Sequence, residues 1–106
     1  MSLSLYLRSH DGAERAIPIA GSSELESLWR PIIAAHDLHH LDYILSAGLS
    51  VNDDNYADVV AELETLCREI AVRIDAAEHA GRSRCVRLLA LVQTTPPGSA
   101  ETIYIG

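Results

Sequence analysis

From about Asp54 to Ala80, apolar residues return every three or four positions: Tyr56, Val59, Val60, Leu63, Leu66, Cys67, Ile70, Ile74 and Ala77. A helix of 3.6 residues per turn puts these positions on one side, so the segment reads as a helix with one buried face. Unbroken, it would run about 40 Å at 1.5 Å per residue, the full width of a domain of this size. Gly81 is expected to end it. Pairs Glu64 with Arg68 and Glu69 with Arg73 fall at i, i+4 on its outer face, each adding only about 0.2–0.5 kcal/mol. Whatever else the chain forms must pack against that stripe.

The N-terminal SLSLYLR has a period of two instead. Leu3, Leu5 and Leu7 face one way and Ser4, Tyr6 and Arg8 the other, as in a half-buried strand. Asp11-Gly12 follows as a hairpin turn signal, and RAIPIA puts Ile17 and Ile19 on one face, with Pro18 confining it to a sheet edge. The closing ETIYIG reads as a strand able to pair with this hairpin. Between them, Ser23 stands as an N-cap with Glu26 completing a capping box, ahead of the apolar stripe Leu25, Leu28, Trp29, Ile32 and Ile33. Pro31 removes an interior hydrogen bond and sets the first turns apart from the rest. Asp37 then caps a short helix that ends before Gly48, with Leu38, Leu41 and Leu45 inward. Residues 84–93 suit a helix through Val86, Leu89 and Ala90, or a strand through Val86, Leu88, Ala90 and Val92; helix is preferred. The expectation is one α+β domain over residues 1–106, with a small antiparallel sheet, the N-terminal hairpin plus the C-terminal strand, packed against helices including one long one.

Charge is uneven along the chain. Residues 22–64 carry Glu24, Glu26, Asp37, Asp42, Asp53, Asp54, Asp58, Glu62 and Glu64 against Arg30 alone, so nine acids and one base give −8 within a formal total of −7. An acidic middle repels phosphate backbones and steers basic proteins toward itself, which argues against nucleic acid and for a protein partner. The apolar run LLALV is far short of the roughly 20 residues that cross a bilayer, and the N-terminus has no basic region followed by an apolar core. The expectation is a cytoplasmic protein without a membrane partner, whose Cys67 and Cys85 are reduced, small buried hydrophobes.

Chemistry has few places to sit. The stretch AAHDLHHLDY places His36, His39, His40 and Tyr43 on the solvent side of a helix whose Leu38, Leu41 and Leu45 point inward. His36 and His40 have the i, i+4 spacing that can hold a metal between two imidazoles, so His36, His39 and His40 are the metal candidates. No glutamate base and no assigned third ligand accompany them beyond Asp37 or distant His10, and an exposed polar face is an ordinary place for histidines. The carboxylates Asp54, Asp58 and Glu62 follow at successive i, i+4 steps, with Asp53 or Asp54 suited to N-cap the long helix. Calcium loops require a twelve-residue ligand pattern that is missing here. Ser9, His10 and Asp11 are consecutive in a tight turn and cannot align as a relay, and there is no GxSxG, P-loop or GxGxxG. Arg82, Arg84 and Arg87 form a small basic patch on a solvated connection.

The order of features, LSLYLRSHDGAE, then GSSELESLW, then the ADVVAELETLCREI helix, resembles the small acidic bacterial immunity proteins of polymorphic toxin systems and related families. A chain rich in alanine and leucine, with arginine as its only strong base, is in keeping with a GC-rich bacterial genome. The resemblance implies a non-enzymatic module that binds and neutralises a toxin, with an acidic surface against a basic partner, no cofactor and no shared catalytic residues. Asp53, Asp54, Asp58 and Glu62 are the partner-binding candidates. The alternative is a metal-binding protein or metal-dependent enzyme built on the histidine cluster at 36–40. Self-association as a homodimer through the long helix is compatible with either.

Overall fold

The computed structural model describes residues 2–73, 79–96, 98 and 102–106. Its sheet grows from the N-terminal alternation. β1 (Leu3–Arg8) and β2 (Glu14–Ala20) form the expected antiparallel hairpin, with Leu5 opposite Ile17 and Tyr6 opposite Ala16. The connection is tied by the Ser9 amide donating to the Ala13 carbonyl at 2.9 Å and the Gly12 amide to the Ser9 carbonyl at 3.0 Å. Gly12 has φ 90°, a conformation in which a side chain would be strained. The Asp11 carboxylate accepts from the Ser9 hydroxyl and, at 3.0 Å, from the Ala13 amide. These bonds, that of Ser9 foremost, hold its pKa below the ordinary carboxylate value.

β4 (Thr102–Ile105) pairs antiparallel with β1, as expected, with Leu5 opposite Ile105 and Tyr6 opposite Tyr104. A strand not expected from sequence, β3 (Leu49–Ser50), joins the far side of β4 and gives the order β2-β1-β4-β3. Two residues carry too little periodicity to announce a strand; pairing with β4 defines this one. Pro18 lies on the edge strand β2, where its missing N–H interrupts no inner ladder. Leu3, Leu5, Ile17, Ile19, Ile103 and Ile105 are buried, while Tyr6 and Tyr104 alternate to the other face with ring centroids 5.9 Å apart.

α1 (Ser22–Glu24), a π-helical segment (Leu25–Trp29) and α2 (Arg30–His36) follow one another without a break. The capping box does not form. Gly21 is the N-cap, the Ser27 hydroxyl donates to the Ser23 carbonyl at 2.7 Å, and Glu26 binds Arg30 Nε at 3.0 Å. A guanidinium one turn away is a stronger partner for Glu26 than a backbone amide. Pro31 does set the first turns apart: it has no N–H for the Ser27 carbonyl, and the Arg30 amide reaches back five residues to Leu25 O. Leu25 and Trp29 are both buried through this wide turn.

α2 ends in a left-handed residue that is not glycine, Asp37, at φ 55° and ψ 47°. The Leu38 amide donates to Ile33 O at 3.1 Å and the Asp37 amide to Ala34 O at 3.4 Å, the paired bonds of a Schellman C-terminus. Ile33 and Leu38, which flank that closure, are both buried. Asp37 therefore closes one helix instead of capping the next. α3 (His39–Ala47) has Leu38 at its N-cap and stops at Gly48, φ 81°.

α4 (Tyr56–Arg73) carries the long stripe, with Val59, Leu63, Leu66 and Ile70 each 0% exposed. Asn52, rather than Asp53 or Asp54, organises its start: the Asn52 side-chain oxygen accepts from the Asp54 and Asn55 amides at 2.9 and 3.2 Å, and its carbonyl from Tyr56 at 2.9 Å. The amide oxygen of asparagine serves here as well as a carboxylate does. The single helix to Ala80 is corrected too. α4 is described to Arg73, Ile74 and Ala77 lie outside the described residues, and Gly81 falls inside α5 (His79–Thr94) instead of ending a helix. One glycine costs a helix only about 1 kcal/mol against alanine, which burial of a single side chain offsets. α5 runs antiparallel to α4, since Cys67 meets Cys85 and the Tyr56 hydroxyl donates to Gln93 O at 3.4 Å.

The preference for helix over residues 84–93 holds, but its inward face is Cys85, Leu88 and Val92, while Val86 and Ala90 are exposed. One buried cluster joins the inner face of the sheet to the π segment and α2 through α5. Among the described residues, no helix is long and apolar enough to cross a membrane. Asp37→Gly is expected to stabilise the fold by about 0.5–1 kcal/mol by relieving the left-handed conformation. A higher urea midpoint at unchanged m-value would register it; a lower midpoint would mean that the exposed Asp37 carboxylate contributes more than the backbone relief.

Candidate functional site

Leu38 offers α3 no capping side chain, so the first amides of this helix need an acceptor from elsewhere. Glu62 on α4 supplies it. Its Oε1 accepts from the amides of His40 at 2.9 Å and Leu41 at 3.2 Å, and its Oε2 meets His40 Nδ1 directly. A carboxylate at the positive end of a helix dipole makes charge-assisted bonds, and this one is only 15% exposed. Glu69, seven residues further along α4 and on the same face, approaches His36 Nε2 at 3.5 Å. The two glutamates hold the α2–α3 junction across α4.

The three histidines consequently share no centre. The left-handed residue Asp37 leaves His36 as the last residue of α2 and His40 in the first turn of α3, so the i, i+4 relation of one continuous helix is lost. His39 is exposed with its Nε2 3.3 Å from Asp37 Oδ2. Each imidazole thus faces a different carboxylate. Among the described residues, no three His, Cys, Asp or Glu side chains are grouped as a metal ion would require.

The acidic stripe also divides. Asp53, Asp54 and Asp58 are exposed at the head of α4, whereas Glu62 turns inward to α3. Of the nine acids in residues 22–64, seven are exposed (Glu26, Asp37, Asp42, Asp53, Asp54, Asp58 and Glu64), and Glu24 and Glu62 are not. Of the expected ion pairs on α4, that of Glu64 with Arg68 gives way to Arg68 donating to Thr65 Oγ1 at 3.4 Å; Glu69 meets His36, and its pair with Arg73 falls on a side chain outside the described residues. The role of Glu62 was hidden among its acidic neighbours. The signal for it was a helix start, Leu38, with no oxygen of its own, opposite two glutamates seven residues apart.

Glu24 is the other inward carboxylate. Its Oε2 lies 3.3 Å from Arg84 Nη1, while its Oε1 is buried without a hydrogen-bond partner among the described residues and the side chain is 11% exposed. Burial raises its pKa, and the charge and hydrogen bond of Arg84 act against that rise without cancelling it. Arg87 donates to Pro18 O on the edge strand β2 at 3.4 Å, so of the two described arginines of the basic patch Arg87 engages the sheet edge and Arg84 engages α1; the Arg82 side chain lies outside the described residues.

These features define an α+β protein with an antiparallel four-stranded sheet, an internally braced histidine–glutamate seam and a solvent-facing acidic helix head. Compared with protein-family models, curated proteins and solved structures, the chain matches none.

Glu62→Ala is expected to cost about 2–3 kcal/mol, measured by urea denaturation, because it strips the acceptor from two partly buried amides; Glu62→Gln should recover part of the loss. For Glu24 the folded pKa lies above its ordinary value of 4.5, so its contribution is present below that value and is lost as pH rises through the raised one. Glu24→Gln is therefore expected to raise Tm at neutral pH and to match the parent below about pH 4. Equal Tm values for the two chains across the whole range would show that the Arg84 pair fully compensates the burial.

Proposed function

We propose that this protein is a non-enzymatic binding module of the immunity type, which neutralises a basic protein partner, a toxin, in the cytoplasm. The exposed head of α4 carries the reading: Asp53, Asp54 and Asp58 point to solvent without competing contacts to the core, in a segment whose net charge is −8. Such a face attracts a basic protein at long range and repels a phosphate backbone. Glu62, though adjacent in the stripe, is committed to α3 and belongs to the support of this face rather than to the contact. The resemblance in feature order to small acidic immunity proteins points the same way. The histidine-based metal reading has no comparable support, because each imidazole has a separate carboxylate.

The test begins with the gene neighbourhood. A neighbouring reading frame for a basic toxin domain names the partner to co-express and titrate. Asp53→Asn, Asp54→Asn and Asp58→Asn combined are expected to weaken that binding about tenfold, as three exposed charges at 0.2–1 kcal/mol each imply, and to flatten its salt dependence. Undiminished affinity in the triple variant, or binding indifferent to salt, would remove the electrostatic basis of the proposal.

A further inference from the structure

Cys67 on α4 and Cys85 on α5 stand eighteen residues apart in sequence, and their Sγ atoms are 2.6 Å apart. Non-bonded heavy atoms settle at about 3.5–4.0 Å, so the antiparallel hairpin brings the two thiols closer than packing alone would. Both are buried, Cys85 completely and Cys67 with 9% of its surface exposed. Cys85 sits on the buried face of α5 with Leu88 and Val92, and Cys67 belongs with Leu66 and Ile70 to the buried face of α4, so the sulfurs lie within the core that the two helices share.

We propose that Cys67 and Cys85, reduced in the resting cytoplasmic protein, close into an intramolecular disulfide that staples α4 to α5 when the glutathione pool turns oxidising, by exchange with glutathione disulfide. Cys67, which keeps the little exposed surface, attacks one sulfur of glutathione disulfide as its thiolate. That S–S bond breaks, and one glutathione leaves, taking up the proton that Cys67 gave up. The Cys85 thiolate then attacks the Cys67 sulfur of the mixed disulfide, forming the Cys67–Cys85 bond and expelling the second glutathione, which carries away the Cys85 proton. Two protein thiols are oxidised and one small disulfide is reduced to two thiols.

The surroundings make this a slow structural lock and not a redox catalyst. The hydrogen bond with Cys67, burial and the charges of Cys67 and Glu24 all raise the Cys85 pKa. The thiolate is scarce at rest, and exchange waits for the hairpin to open. Once formed, the bond lies in the same buried interface, where external thiols reach it only when the hairpin opens. The staple fastens α5 to the helix whose head bears Asp53, Asp54 and Asp58 and whose face bears Glu62, and so fixes the base on which the acidic surface stands.

The full chain equilibrated with glutathione disulfide, or with dithiothreitol, is acid-quenched, denatured, alkylated with iodoacetamide and weighed intact. The oxidised sample is expected to carry no alkyl group, to be lighter than the reduced unalkylated chain by two hydrogens, and to run as a monomer without reductant. Its Tm should exceed that of the reduced sample by roughly 10 °C or more, the effect of cross-linking a loop of this length. The Cys67→Ser variant should show no Tm difference between the two buffers. Two alkylated cysteines in the oxidised sample, a persistent glutathione adduct, a disulfide-linked dimer, or equal Tm values in the two buffers would each overturn the staple.

Discussion

Val59, Leu63, Leu66 and Ile70 leave α4 with a continuous seam that water does not reach, and the other helices are arranged by the need to cover it. Removing one such side chain from water stabilises by about 1.5–3 kcal/mol, so a four-residue seam outweighs any single cap or ion pair on the surface. α2, the π segment and α3 close it on one side and α5 on another. This accounts for Gly81 lying within a helix: the propensity cost of one glycine is small beside the apolar surface α5 covers. It also accounts for the wide turn ahead of Pro31, which keeps Leu25 and Trp29 buried together, with Trp29 Nε1 left without a hydrogen-bond partner among the described residues. An unsatisfied buried donor of that kind costs about 1–3 kcal/mol, less than the burial of the indole returns.

Polar groups are then placed by what the seam leaves for them. Because α3 must cross α4 directly after α2, the chain turns sharply at Asp37 and α3 starts at an apolar residue. Its bare amides would be a liability at a partly buried helix start, and Glu62 answers them from the side. One turn of geometry thus changes two chemical readings together. The histidines become three separate partners of three carboxylates, and the acidic stripe loses its fourth member to structural duty.

Seven of the nine acids in residues 22–64 stay outside the packed seam, and the two that turn inward, Glu24 and Glu62, each meet a partner there, Arg84 for the one and the start of α3 for the other. Asp53, Asp54 and Asp58 are held at one place on the surface by a turn whose hydrogen bonds run through Asn52 and Asn55, so the carboxylates themselves are not spent on the turn. An acidic face of this sort keeps its charge exposed to solvent and its support in the core. The thiol pair between α4 and α5 belongs to that support.

Periodic features were legible from the chain alone. The alternation at Leu3, Leu5 and Leu7, the Asp11-Gly12 turn, the closing strand at Ile103 and Ile105 and the stripe of α4 each record a local period, and the α+β architecture with its antiparallel sheet follows from them. What the chain alone left open were questions of partnership: which residue ends a helix, whether Glu26 binds an amide or Arg30, whether Glu62 faces water or α3, and which thiol Cys67 meets. Secondary structure is decided by side-chain period within a few residues, so it is written locally. The role of a carboxylate, an imidazole or a thiol is decided by whichever group comes within hydrogen-bonding distance, and for Glu62 and Cys67 that group lies about twenty residues away, at 22 and 18, where only the packed tertiary structure brings it near.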